Sequence, residues 1–167
     1  ILKTTDGGDT WALQVSGTTN ALLSVYFINT STGYSVGSAG TILKTIDGGN
    51  NWTTQASGTT NDLRSVHFSG ANTGFAVGDN GTIINTIDGG SNWTLQTSGS
   101  ADILFSVYFP DANTGFIAGG AGVGGVGTIL KTTDGGSNWT GLTSGVTNDL
   151  YAVYFINTLT GYAVGGN

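Results

Sequence analysis

Thr45-Ile46-Asp47-Gly48-Gly49-Asn50-Asn51-Trp52 decides how this chain is read. The same Thr-x-Asp-Gly-Gly-x-x-Trp pattern runs over Thr4 to Trp11, Thr86 to Trp93 and Thr132 to Trp139. Each copy follows a short β-prone run, Ile-Leu-Lys-Thr in three cases and Ile-Ile-Asn-Thr in one. Each leads into a second run, such as Trp52-Thr53-Thr54-Gln55. Two β runs joined by an Asp-Gly turn predict a hairpin. The Asp carboxylate closes the turn by accepting backbone N–H groups a few residues on, and Gly takes positive φ without steric cost. The Trp opens the return strand and can fold over the turn. Burying an indole removes roughly 150–250 Å² from water, worth on the order of 4–6 kcal/mol as an upper bound. Asp6, Gly8, Trp11, Asp47, Gly49, Trp52, Asp88, Gly90, Trp93, Asp134, Gly136 and Trp139 are therefore assigned a structural role. A calcium loop is the functional alternative, but one carboxylate per turn falls far short of the roughly 6–8 oxygen ligands calcium takes.

The four tryptophans are spaced by 41, 41 and 46 residues, and Thr-Gly-aromatic triplets beginning at Thr32, Thr73, Thr114 and Thr160 keep the same spacing. A period near 41 with four β runs per repeat marks propeller blades. In one repeat, strand A is Leu63 to Phe68, strand B Gly74 to Val77, strand C Thr82 to Thr86 and strand D Trp93 to Thr97. The equivalents of strand A are Leu22 to Phe27, Leu104 to Phe109 and Leu150 to Phe155. The expected architecture is all-β: a β-propeller of four-stranded blades in a single domain, 1–167. The blades fall at about 22–57, 63–98, 104–144, and 150–165 plus 1–15. The last is stitched from both termini, because 1–15 supplies only strands C and D and 150–165 only A and B. Half of a larger propeller is the alternative. The glycine-rich segment Gly119 to Gly127 replaces the short Gly78-Asp79-Asn80-Gly81 link and is expected to be a surface hairpin tip.

The turn motif is an Asp-box. Gly40 to Trp52, Ser65-Val66-His67-Phe68 and Thr160 to Gly165 resemble the repeating phrases of the photosystem II assembly factor propeller family and of related secreted bacterial propellers. The resemblance covers nearly the whole chain. It implies the propeller architecture and says little about function, since this blade serves many purposes. The family's binding role is associated with an arginine-rich patch, and this chain carries one arginine, Arg64.

The composition narrows the function classes. Charged residues make up 8% of the 167 positions, with ten Asp, no Glu and a net charge of −6, which argues against nucleic acid as a partner. The absence of Cys excludes disulfides and thiolate metal sites. No apolar run is long enough to span a bilayer, so no membrane insertion is expected. The Thr/Asn/Gly-rich, low-charge composition points to an extracellular, cell-surface or periplasmic location. The chain opens at Ile1 inside a repeat, which suggests a processed product or a fragment of something longer.

No catalytic constellation is visible, no metal cluster, and no cofactor is implied. A sialidase-like site needs three arginines and a glutamate. Asp6, Asp47, Asp88 and Asp134 are committed to turns, and Asp62, Asp102 and Asp149 are read as one equivalent loop position. His67, the single histidine, aligns with Tyr26, Tyr108 and Tyr154 and reads as a packed strand residue. Near the start of strand A one position varies between copies: Leu23, Arg64, Phe105 and Tyr151. It lies at the blade end opposite the Asp-boxes and is the candidate partner-binding face. The expected function is a non-enzymatic binding or structural module. A fragment of a glycan-processing enzyme and an assembly factor for a membrane complex are the alternatives. The partner would be a protein or a glycan, and the chain a monomer or a ring-completing homo-oligomer.

Overall fold

The computed structural model describes residues 1–121 and 126–166. Its strands come in five hydrogen-bonded groups. The pair β1 (Leu2–Lys3) and β2 (Ala12–Leu13) is followed by β3 (Leu22–Phe27), β4 (Gly33–Gly37), β5 (Thr41–Thr45) and β6 (Thr53–Gln55). Next come β7 (Leu63–Phe68), β8 (Gly74–Gly78), β9 (Ile83–Thr86) and β10 (Thr94–Gln96). The third full set is β11 (Ile103–Tyr108), β12 (Gly115–Gly120), β13 (Gly127–Thr132) and β14 (Thr140–Thr143), and β15 (Leu150–Phe155) with β16 (Gly161–Gly165) ends the chain. Three sheets are antiparallel four-stranded meanders in the order A-B-C-D, so each is a propeller blade.

The core lies between blades rather than within them. Tyr34, Val36 and Ile42 of one blade pack on Leu63, Val66, Phe68, Ala76 and Ile84 of the next. Phe75, Val77 and Ile83 meet Leu104, Val107, Phe109 and Ile117 in the second layer, and Phe116 and Ala118 meet Leu150 and Val153 in the third. β4 and β8 are buried at every residue; β8 has a full blade on each face and a strand along each edge. The repeated aromatics set the fit. Tyr34 stacks on Phe68 with centroids 4.2 Å apart, Phe75 on Phe109 at 4.4 Å and Phe116 on Phe155 at 3.6 Å. The A strands lie innermost in this series, each touching the A strand of the next blade. Between them Ser24 Oγ accepts Val66 N–H at 3.3 Å, Ser65 Oγ accepts Val107 N–H at 3.3 Å and Ser106 Oγ accepts Val153 N–H at 3.2 Å.

The blade expected from 150–165 plus 1–15 does not form within the chain. β1–β2 and β15–β16 are separate two-stranded sheets. A ring of four demands a steep angle at every step. The two end pairs share no ladder, so the ends of the chain do not meet as one sheet. The glycine-rich insertion also differs in part from a simple tip. Gly119 and Gly120 pair with Thr128 and Gly127, so both strands are extended there. Residues 122–125 of the expected tip lie outside the described residues.

Candidate functional site

Each Asp-box is a closed hydrogen-bonded unit. Asp47 Oδ1 accepts Asn51 N–H at 2.9 Å and Thr45 Oγ1–H at 2.8 Å, and Oδ2 accepts the Asn51 side-chain amide at 2.7 Å. Thr45 Oγ1 in turn accepts Gly49 N–H at 2.9 Å. Asp88 and Asp134 repeat the set with Asn92 and Asn138, and Asp6 does so with Thr10. Donation from the Asn51 side chain and backbone, then from Thr45, holds the Asp47 carboxyl at about 2; Asn92 and Thr86 do the same for Asp88, and Asn138 and Thr132 for Asp134. Thr10 and Thr4 push Asp6 further down still. The carboxylate is spent on the turn, and among the described residues no group of three or more potential metal ligands occurs. The bridging Thr of each motif is a residue the sequence reading passes over, although its recurrence two residues before every Asp is the signal.

Phe75 and Tyr34 explain the final glycine of the motif. A Cβ on Gly136 would stand 2.3 Å from Phe75 Cε1, and one on Gly90 would stand 2.8 Å from Tyr34 Cε1. The turns at Gly90 and Gly136 are thus sockets for the strand-B aromatic of the preceding blade. Tyr34 Oη and Lys44 Nζ both donate to Gly89 O at 2.6 Å. Lys3 reaches the equivalent turn, donating to Asn50 Oδ1 at 3.2 Å.

The opposite end of the blades is built differently. Strand A loses register with strand B at the same point in every copy: between Leu22 and Ser24, Leu63 and Ser65, Leu104 and Ser106, and Leu150 and Ala152. The extra residues are Leu23, Arg64, Phe105 and Tyr151, the four positions that vary. A β-bulge leaves its extra residue outside the ladder and re-aims its side chain. That frees these positions from the strand's in/out alternation. The structure brings three of them into one row. The Arg64 guanidinium lies 5.4 Å from the Phe105 ring centre, and Tyr151 meets Phe105 edge to face at 5.2 Å. Tyr151 and Leu23 are exposed.

Carboxylates flank the row. Arg64 is bidentate on Asp79, and that hydrogen bond raises the guanidinium pKa. Asp62 accepts Ser38 Oγ–H at 3.2 Å and Ala39 N–H at 2.9 Å, pinning the left-handed Ala39 (φ 54°) of the neighbouring blade's B–C turn. Asp102 departs from the equivalence expected of it. It takes the place of Asn20 and Asn61, whose side chains donate to Thr41 and Thr82 Oγ1 at 2.8 Å, and it accepts from Thr128 Oγ1. Asp62 and Asp149 stand one residue further along, each directly before the strand-A leucine. All three lysines lie on strand C beside the Asp-boxes, so among the described residues Arg64 is the one basic side chain of the bulged rim. The His67 imidazole sits between Tyr26 and Tyr108 with centroids 4.9 and 5.0 Å away, and burial pushes it down to about 4.

The sequence matches a family model described as photosynthesis system II assembly factor YCF48, over residues 7–95 and again over 50–140. The chain belongs to this family. No curated protein matches it significantly by sequence. Among solved structures, YCF48 from Cyanidioschyzon merolae is 20% identical, with a TM-score of 0.69 over 88% of this chain and 48% of that one. The chain thus spans about half the length of that YCF48. A structure of YCF48 bound to D1 peptide is 18% identical, with a TM-score of 0.50 over 98% of this chain and 81% of the other. The GH74 enzyme of Niastella koreensis is 19% identical, with a TM-score of 0.81 over 99% of this chain and 32% of the enzyme. At these identities the likeness to solved structures is one of fold, and it places YCF48-family blades on the same backbone as those of a GH74 propeller.

Proposed function

We propose that this YCF48-family chain is a non-enzymatic binding segment of a propeller, and that it takes an extended polypeptide across the bulged rim of Leu23, Arg64, Phe105 and Tyr151. The observation that carries the reading is the row itself. Four register shifts place one freely variable side chain per blade, and three of those side chains touch in series. Flat aromatic area at low rotamer cost suits recognition of a peptide. Asp79 offsets Arg64, while Asp62 and Asp102 remain on the rim, so its field is negative. The favoured partner segment combines apolar residues with Lys or Arg. The D1 peptide bound by the related YCF48 supports a polypeptide as the ligand class.

An array of extended peptides graded from acidic to basic tests this, followed by calorimetry on the binders. Basic-apolar peptides are expected to bind, and Phe105→Ala combined with Tyr151→Ala to weaken them at least about tenfold, while Asp47→Ala leaves affinity unchanged. Binding that favours acidic peptides, or that survives the double variant, would overturn the assignment.

A further inference from the structure

The middle blade, β7–β10, carries a pair of opposite charges that its neighbours lack. Arg64 stands at the bulge where the flanking blades have Leu23 and Phe105. Asp79 opens the B–C turn where they have Ser38 and Gly120. This blade is packed on both sides by a full blade, so the pair lies inside the repeat array. Both side chains keep part of their surface in solvent, 30% for Arg64 and 27% for Asp79. An ion pair so placed contributes little to stability. The fold does not require it either, since Arg64 sits outside the strand ladder.

Three groups converge on the Arg64 guanidinium. Nε donates to one oxygen of Asp79, and Nη2 to the other at 3.1 Å. The Phe105 ring lies 5.4 Å from the guanidinium carbon. Asp62 adds a second negative charge within Coulombic reach. A carboxylate fork over an aromatic face is the complement of a planar, delocalised cation. The clamp is mounted rigidly. Asp79 N–H donates to Asp62 O at 3.0 Å, and Asp79 O accepts Thr82 N–H at 3.1 Å and Thr82 Oγ1–H at 2.6 Å. Asp62 is fixed by Ser38 and Ala39 of the preceding blade. The mobile member is the long side chain of Arg64, which occupies the clamp as a bound ligand would.

We infer, on the reading that this rim takes a polypeptide, that Asp79 and Phe105 form an arginine-selective clamp and that Arg64 is its built-in occupant, displaced by an arginine of the partner. Arginine can bridge both Asp79 oxygens while its flat face rests on Phe105. Lysine is a point charge and does neither. Asp62 leaves a second carboxylate for the displaced Arg64, so two cations meet two anions. The tethered occupant has a high effective concentration, so it holds the clamp against weak cationic ligands. Selectivity therefore comes from competition as well as attraction.

Calorimetry on the whole chain tests this with N-acetyl-Phe-Arg-Phe-amide and its counterparts with lysine or citrulline at the centre. Circular dichroism confirms the folding of each variant. The arginine peptide should bind about tenfold more tightly than the lysine peptide, and the citrulline peptide more weakly than either. Arg64→Leu, which copies position 23, removes the competitor. It should tighten the arginine peptide about two- to fivefold and widen the arginine-to-lysine ratio. Asp79→Asn should collapse that ratio to near one. Equal affinity for the arginine and lysine peptides, or a ratio unmoved by Asp79→Asn, would overturn the clamp and leave the peptide-binding rim standing. So would an equal gain for both peptides in Arg64→Leu, which is a change of field alone, or a loss of affinity, which would make Arg64 a direct contact. Absence of binding by every form would overturn the clamp and the rim together.

Discussion

Tyr34 and Tyr162 sit in nearly the same five-residue phrase, on the same strand of the blade, and differ in almost everything else. Tyr34 is buried, stacked and hydrogen-bonded to Gly89 O, whereas Tyr162 is exposed. Trp93 and Trp11 make the same contrast across the Asp-boxes, at 9% and 59% exposure. Local sequence forms the strand and the turn in both places. A neighbouring blade converts them into core. In this fold, burial is a property of the interface between repeats, not of the repeat.

The largest expected effect tests that contrast directly. Phe75→Ala removes a fully buried ring from the second interblade layer and should destabilise the chain by about 3–5 kcal/mol. Tyr162→Ala, at an exposed ring, should cost less than about 1 kcal/mol. Urea denaturation of both variants compares them. Equal losses would show that the end pair is packed as tightly as the interior.

An intermediate effect comes from pH. Burial lowers the His67 pKa from its ordinary 6.5 to about 4, so the unfolded chain binds the proton first as pH falls. Stability is expected to drop between about pH 6.5 and 4, by up to about 3 kcal/mol, and to level off below the folded-state value. His67→Tyr, the residue found at positions 26, 108 and 154, should remove this slope. The Asp-box carboxylates act in a different window. Their pKa values are depressed from 3.8 to about 2, so their contribution is present above 3.8 and is lost as pH falls from there through 2. The His67→Tyr variant should still unfold in that lower window. An unchanged slope between 6.5 and 4 in the variant would place the titrating group elsewhere.

The smallest effect separates turn chemistry from packing. Asp6 and Asp47 make the same local hydrogen bonds, one in an end pair and one in a full blade. Asp47→Ala should lower Tm by about 2–4 °C, and Asp6→Ala should leave it within about 1 °C. Amide exchange should nevertheless accelerate at Asn51 and Thr10 alike. Protection of Thr10 that survives Asp6→Ala would mean the end turn is held by something other than its carboxylate.

The strands and Asp-box turns are legible in the sequence because both are encoded within a few residues. The expected strand A, Leu63 to Phe68, is the span of β7, and the Asp–Asn closure follows from residue type and spacing. Ring closure is not legible. Counting strands gives the strands present without the angle between blades, which is set by packing across every interblade layer and by no local run of residues. Asp102 is misplaced by one residue when residue type is followed, because the 41-residue period aligns it with Asn61. The variable position is visible in sequence, and its cause, a register shift in every strand A, is not. Nothing in Leu22-Leu23-Ser24 marks a bulge until its partner strand is known.

The bulge has a consequence for how such a protein can diversify. A residue outside the hydrogen-bond ladder is under little obligation to the fold, so replacing it leaves blade stacking and turn closure untouched. The chain therefore carries one rewritable character per repeat inside an otherwise fixed text. Leucine, arginine, phenylalanine and tyrosine are its present spelling. Repeat duplication can lengthen that word, and point substitution can change its meaning, without any renegotiation of the architecture that displays it.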